Sequence, residues 1–194
     1  MRKILVIQGH PNGASYCASL ADQYAKTAKL NGLEVDELRL HELKFDPILH
    51  FAFSGEQLLE PDLKAAQERI LNAEHLVWIF PNWWGSLPAL LKGFIDRTFL
   101  PGFAFKYKSG LGFPDQLLKG KTADLIITLD TPPIIYKFFM GAPGVKIMKS
   151  AILEFCGIKV RNTFLIGSVR GSSEEQRAKW LRVVEKAALS LRRK

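Results

Sequence analysis

Five short apolar runs, each followed by a stretch with helical spacing, constrain this chain more than anything else in it. The first is Ile4-Leu5-Val6-Ile7, set between Lys3 and Gln8. An unbroken run of β-favouring residues suits a strand covered on both faces, as in a parallel sheet. After the loop His10-Pro11-Asn12-Gly13, the residues Cys17, Leu20, Ala21, Tyr24, Ala25 and Ala28 fall on one helical stripe. Ser15 offers an N-cap to that helix and Asn31-Gly32 a C-cap. Val35–Leu40 alternates and reads as a strand near an edge. His75–Phe80, Asp124–Leu129 and Lys159–Ile166 supply three more strands.

The intervening segments carry the helices. Glu60-Pro61-Asp62 starts one that runs to about Ala73. Pro88 suits the first turn of the next, whose stripe is Leu90, Leu91, Phe94, Ile95 and Phe99. Residues 144–156 read as helical up to Gly157. Ser172 with Glu175 forms a capping box for a last helix with Trp180, Val183, Val184, Ala187, Ala188 and Leu191 on one face. Residues 41–60 show no clear period, but the cluster from Phe45 to Phe53 is apolar enough to cover something. Strand and helix alternate throughout, with no repeat, linker or low-complexity segment. The expectation is one domain over residues 1–194, an α/β fold. It has a flavodoxin-like, doubly wound, five-stranded parallel sheet of order 2-1-3-4-5, with helices on both faces.

Composition narrows the function. With 27 Lys+Arg against 19 Asp+Glu the net charge is +8, which favours anionic partners such as phosphates and nucleotides. The basic residues are scattered apart from the terminal Arg192-Arg193-Lys194, which argues against nucleic acid. Cys17 and Cys156 are too few for a disulfide framework and have no Cys or His at metal-ligand spacing, so no metal is expected. The N-terminal apolar run is too short for a signal peptide, and no run approaches a membrane span. A soluble cytoplasmic protein, not inserted in a membrane, follows as the expectation.

In an open α/β sheet, ligands bind beyond the carboxyl ends of the strands where the winding reverses. With order 2-1-3-4-5 the loops 9–16, 81–87 and 130–143 should meet there. The first offers Gly9, Asn12 and Gly13 for a tight turn and the start of a helix near Ser15, a place for a phosphate. His10 adds a hydrogen bond or a charge. The second carries Trp83 and Trp84, two large rings in a loop bounded by Asn82, Gly85, Ser86 and Pro88. Such rings can pack against a flat conjugated ligand. Neither GxGxxG nor GxxxxGK[ST] occurs, which disfavours a dinucleotide fingerprint and a P-loop. A phosphate at one end and a flat ring at the other point to a flavin nucleotide.

The stretch Phe80-Pro81-Asn82-Trp83-Trp84, then Leu87 through Arg97, then Gly102-Phe103-Ala104-Phe105, resembles a block of the flavodoxin-like NAD(P)H:quinone oxidoreductases of the DT-diaphorase type. Gly9-His10-Pro11, Leu59-Glu60-Pro61-Asp62 with Gln67, and Phe155-Cys156-Gly157 extend the likeness over most of the chain. The resemblance implies a flavin enzyme that takes a hydride from NAD(P)H and gives one to a quinone-like acceptor, working as a homodimer. It implies that His10, Ser15, Tyr16 and Cys17 hold the cofactor phosphates. Pro81, Asn82, Trp83, Trp84 and Thr128 would lie along the flavin ring. Tyr136 would stabilise negative charge on the reduced ring. Phe105 and Tyr107 would line the substrate pocket. Arg177 would reach the adenine half of FAD, with FMN as the alternative because the segment between Phe53 and Leu59 is short.

Besides that short segment, the chain departs from the family pattern at two places. Thr128-Leu129-Asp130-Thr131-Pro132-Pro133 replaces a Thr-Thr-Gly-Gly turn, and Ala142 stands where the family has a second relay histidine. The rival reading in the same fold is a regulatory flavoprotein subunit of a membrane transport system with weak reductase activity.

Overall fold

The computed structural model describes residues 2–52, 55, 57–108 and 112–192. Phe53 of the apolar cluster and Arg193-Lys194 of the basic run lie outside those residues. The chain runs β1 (Lys3–Gln8), α1 (Tyr16–Leu30), β2 (Glu34–Arg39), α2 (Pro61–Asn72), β3 (His75–Pro81) and α3 (Ala89–Thr98). A short hairpin of β4 (Phe105–Lys106) and β5 (Asp115–Gln116) follows, then β6 (Thr122–Thr128), α4 (Pro143–Lys146), β7 (Lys159–Ile166) and α5 (Glu174–Leu189). The five long strands form one sheet in the order β2-β1-β3-β6-β7, every pair parallel. Counted along the sheet this is 2-1-3-4-5, as the sequence implies.

Burial explains why the runs look as they do. In β3 every residue is buried, and alternate side chains go to opposite faces. Leu76, Trp78 and Phe80 join the core beneath α2 and α3, while Val77 and Ile79 join the one beneath α1 and α5. The edge strand β2 has only Leu38 buried, hence its alternation. The expected stripe of α1 is buried in full, Ser15 caps it by accepting from the Ala18 amide, and Gly32 follows the Asn31 C-cap at φ +76°. A polar pair interrupts this interior. His75 Nε2 lies 3.5 Å from Asp124 Oδ2, both wholly buried; Thr122 Oγ1 is 2.8 Å from His75 Nδ1, and Asn162 donates to Asp124.

The segment before α2 does cover the core, in part. Leu43 and Phe45 pack on it, with the Phe45 ring edge-on to Phe94 at 6.2 Å, while Ile48 and Phe51 face outward. The buried Arg97 guanidinium ties the segment down: it donates to the carbonyls of Asp46 and Leu58 and to the Glu60 carboxylate at 2.9 Å. Gly93 is required there, since a Cβ would stand 2.6 Å from the Pro47 carbonyl oxygen.

Three local readings shift. Ser173, not Ser172, caps α5 by accepting from the Gln176 amide; the Ser172 hydroxyl instead donates to the Val169 carbonyl. Pro88 occupies the N-cap of α3 and not its first turn. The helix expected over 144–156 begins as α4 and continues as wider π-type turns over Ile147–Glu154.

Candidate active site

Beyond the carboxyl ends of β1, β3, β6 and β7 lies an open cleft of about 320 Å³. It is lined by His10, Asn12, Ser15, Tyr16 and Cys17 from the first loop and α1, and by Pro81, Asn82 and Trp83 after β3. Thr128, Leu129, Asp130 and Val169 complete the wall. Loops far apart in sequence meet here because the strands that feed them are neighbours and end together. Pro81 pairs with Thr128 in register, and the Asn82 amide donates to the Thr128 carbonyl at 2.7 Å.

The first loop is built for an anion. The Asn12 carboxamide oxygen accepts from the Ala14 amide, and the Ser15 amide donates to the Asn12 carbonyl, which turns the chain into α1. The first amides of a helix have no intrahelical acceptor, and the positive end of its dipole lies there. The His10 Nδ1 accepts from the Asn12 amide at 2.9 Å, so the neutral ring carries its proton on Nε2. Burial, with the His41 imidazole adding to it, holds His10 below the usual histidine range. His10 is thus a neutral donor at the cleft, packed edge-on against Trp83 at 5.3 Å.

The second loop has a specific form. Trp83 and Ser86 exchange both backbone hydrogen bonds, at 3.0 and 2.9 Å, around Trp84 (φ +51°) and Gly85 (φ +74°). Two positive φ values between paired residues make a type I′ turn, whose first central position ordinarily takes Asn, Asp or Gly. Tryptophan there is strained, and the turn throws its ring fully into solvent at 103% exposure. The turn rests on α4: a Cβ on Gly144 would stand 3.0 Å from the Gly85 carbonyl and 2.8 Å from Asn82 Oδ1.

Of the residues expected at the site, the structure brings together His10, Ser15, Tyr16, Cys17, Pro81, Asn82, Trp83 and Thr128. The other five stand apart from the cleft wall. Trp84 is wholly exposed and is not among the residues that line the cleft, where Trp83 is the indole present. Tyr136 is buried behind Asn82, donating its hydroxyl to Asn82 Oδ1 at 2.8 Å and accepting from the Gly144 amide at 3.0 Å. Phe105 is buried on the hairpin, edge-on to Tyr107 and Phe155 at 5.2 Å each, with Tyr107 exposed beyond it. The Arg177 guanidinium donates to the Ser172 hydroxyl at 2.9 Å and lies 5.7 Å from the Tyr16 ring, whose own hydroxyl donates to the Arg177 carbonyl. Leu129, Asp130 and Val169 were not singled out from the sequence. The first two follow Thr128 directly in a loop already placed at the site, which is the signal that would have found them. Val169 follows β7, and its amide donates to the Leu129 carbonyl.

Cys17 Sγ lies 3.3 Å from Thr128 Oγ1, and burial pushes its thiol up to about 11. Among the described residues no three His, Cys, Asp or Glu side chains gather as a metal site, and no helix is long and apolar enough to cross a membrane.

Comparison with known proteins agrees with this geometry. A family described as having a flavodoxin-like fold matches residues 2–188. An uncharacterized NAD(P)H oxidoreductase of Haemophilus influenzae is 29% identical over 170 residues, covering 85% of this chain and 83% of its own. NAD(P)H dehydrogenase [quinone] 1 of Cavia porcellus is 27% identical over 184 residues, covering 82% of this chain and 66% of its own. Among solved structures, Smu.1420 of Streptococcus mutans is 31% identical with a TM-score of 0.76, covering 96% of this chain and 98% of its own. An FMN-dependent NADH-azoreductase of Bacillus anthracis in complex with FMN shares the fold at a TM-score of 0.75 and 21% identity, over 98% of this chain and 99% of its own. The chain belongs to the family of the flavodoxin-like fold.

Proposed function

We propose that this chain is a flavin-dependent NAD(P)H:quinone oxidoreductase whose flavin is FMN. The observation that carries the reading is the cleft itself. A phosphate-ready helix start at Ser15 and an indole, Trp83, beside the ends of β3 and β6 line the same cleft, with His10 of the first loop packed on the indole. The relatives named as NAD(P)H and quinone oxidoreductases supply the reaction class.

The residues present fit the group. Ser15, His10 and the first α1 amides would take the phosphate. Pro81, Asn82, Trp83 and Thr128 would hold the ring along the ends of β3 and β6. The exposed Arg177 guanidinium donates once, from Nε to Ser172, and lies over Tyr16, and FMN requires nothing further of it. The B. anthracis azoreductase of the same fold was solved with FMN.

A flavin supplies hydride acceptance and donation, so the protein's part is binding, orientation and charge. Asn82 lines the cleft with its oxygen held by Tyr136, so its amide donors would serve as preorganised donors to negative charge developing there. Tyr136 therefore acts through Asn82 and not by contact of its own. The open mouth admits flat donor and acceptor molecules in turn.

Exposed apolar side chains at Trp84, Ile134, Phe138, Phe139 and Met140 lie on the segments that follow β3 and β6, the strands whose ends form the cleft. An apolar apron of this kind is what a subunit interface covers. The protein is read as a cytoplasmic homodimer, one flavin-binding domain per chain, without nucleic acid as partner. Tyr107 is then the side chain a second copy would bring to the acceptor.

The test is direct. The purified protein is yellow, releases FMN identified by mass, and oxidises NADH or NADPH when benzoquinone is added. A protein that stays colourless with excess FMN and FAD overturns the reading.

A further inference from the structure

Behind the first loop a chain of hydrogen bonds runs toward the cleft from outside it. His41 lies on the short 3-10 turn Leu40–Glu42 directly after β2 and is not among the residues that line the cleft. Its Nδ1 is 3.3 Å from Gln8 Oε1. An amide oxygen only accepts, so Nδ1 carries the proton. Gln8 is the last residue of β1 and is 1% exposed. Its Nε2 donates to Ser15 Oγ at 3.5 Å, and the same oxygen accepts from the Ala18 amide at 3.3 Å.

A hydroxyl has two acceptor positions and one hydrogen. Both acceptor positions of Ser15 are filled from the protein side, so its hydrogen is left to donate outward, and Ser15 lines the cleft. Each donor in the series His41, Gln8, Ser15 therefore points one step nearer the cleft. Bonds aligned in this way reinforce one another. The imidazole also seals the loop from behind, since a Cβ on Gly13 would stand 2.5 Å from His41 Nε2. The charged and titratable groups beside the ring are the exposed Glu42 carboxylate, 3.7 Å from Nε2, and His10 across the loop.

We infer that His41 is a positioning residue for the phosphate of the flavin nucleotide: by fixing the Gln8 carboxamide it makes Ser15 a donor to that phosphate. The inference rests on the flavin reading above. Without the His41 N–H, nothing holds the oxygen of the Gln8 carboxamide away from Ser15. A turn of the amide presents that oxygen to Ser15, whose hydrogen then goes inward and is withdrawn from the anion. The loss would be specific to phosphate, because the series ends at Ser15 at the start of α1 and bonds no other residue that lines the cleft.

The experiment compares FMN with riboflavin, which lacks the phosphate, by fluorescence-quenching titration of the full-length apo protein. His41→Phe keeps a ring against Gly13 and removes the donor; it weakens FMN about tenfold and leaves riboflavin within about twofold. His41→Asn restores an N–H near the Nδ1 position and regains most of the preference for FMN. His41→Leu serves in place of the phenylalanine variant should that ring fail to pack. Equal weakening of both flavins, or an unchanged preference, overturns the assignment. Wild-type protein that binds neither flavin overturns the flavin reading and this inference with it.

Discussion

The Tyr136 hydroxyl donates to Asn82 Oδ1 at 2.8 Å, and the same hydroxyl accepts from the Gly144 amide. One wholly buried phenol thus joins the loop after β3 to the start of α4. Burial raises its ionisation above the usual tyrosine range, and the Gly144 and Val145 amides only partly offset this, so it remains a donor at neutral pH. Tyr136→Phe leaves Asn82 Oδ1 and the Gly144 amide unpartnered. It should cost about 1–3 kcal/mol of stability, read by denaturant unfolding. Asn82 becomes free to turn, so quinone turnover should fall in kcat more than in KM.

Trp84 occupies a turn position that suits asparagine. Trp84→Asn relieves the left-handed strain and should raise Tm by about 2–4 °C for each kcal/mol recovered. The same change removes the outermost ring of the apron. Because Trp84 does not line the cleft, the quinone KM should stay within about twofold, while the proposed dimer should dissociate more readily on size-exclusion chromatography. Thermal scans and steady-state kinetics on one preparation test both halves.

Arg97 holds the segment before α2 to α3. Burial pushes the Glu60 carboxyl up, but hydrogen bonds from the Asp46 amide, its own amide and the Arg97 guanidinium outweigh this and hold it below the usual range. Arg97→Met takes one partner from that carboxylate and leaves the Asp46 and Leu58 carbonyls without theirs, and should cost about 1–3 kcal/mol in chemical denaturation. Because the folded-state value is depressed, the stabilisation from Glu60 is present above the ordinary carboxylate range and is lost as pH falls through it.

The histidines give the apo protein a second pH dependence of the same sense. Burial holds both His10 and His75 below the usual range, against the opposing pull of Asp124 in the second case. Between the unfolded value near 6.5 and the lower folded values, the unfolded chain binds more protons. Stability should therefore be complete above about pH 6.5 and decline as pH drops below it. Thermal unfolding from pH 7.5 to 5 should show this fall, and His75→Gln should flatten it.

The sheet was legible because β1, β3 and β6 are buried on both faces and so must be written in continuous apolar residues. The position of the site followed from strand order alone. What was illegible depended on facts that no local pattern encodes. Ser172…Glu175 and Ser173…Gln176 match the same capping signature one residue apart, and only the backbone decides between them. The outward course of Trp84 follows from two φ values, which an aromatic residue does nothing to announce. The hairpin strands β4 and β5 have two residues each, too short to show a period. His41 and Gln8 meet across 33 positions of sequence, and a single chain gives no sign that they should.

Cys17 sits in the wall of a cleft read here as open to quinones, which are soft electrophiles that arylate thiolates. Its sulfur is nevertheless shielded, turned toward Thr128, and held as the neutral thiol by burial that pushes it up to about 11. Such a thiol is a poor nucleophile at neutral pH. The cleft can therefore include a cysteine in its wall without offering a thiolate for covalent capture, and this chemistry would not poison itself through Cys17.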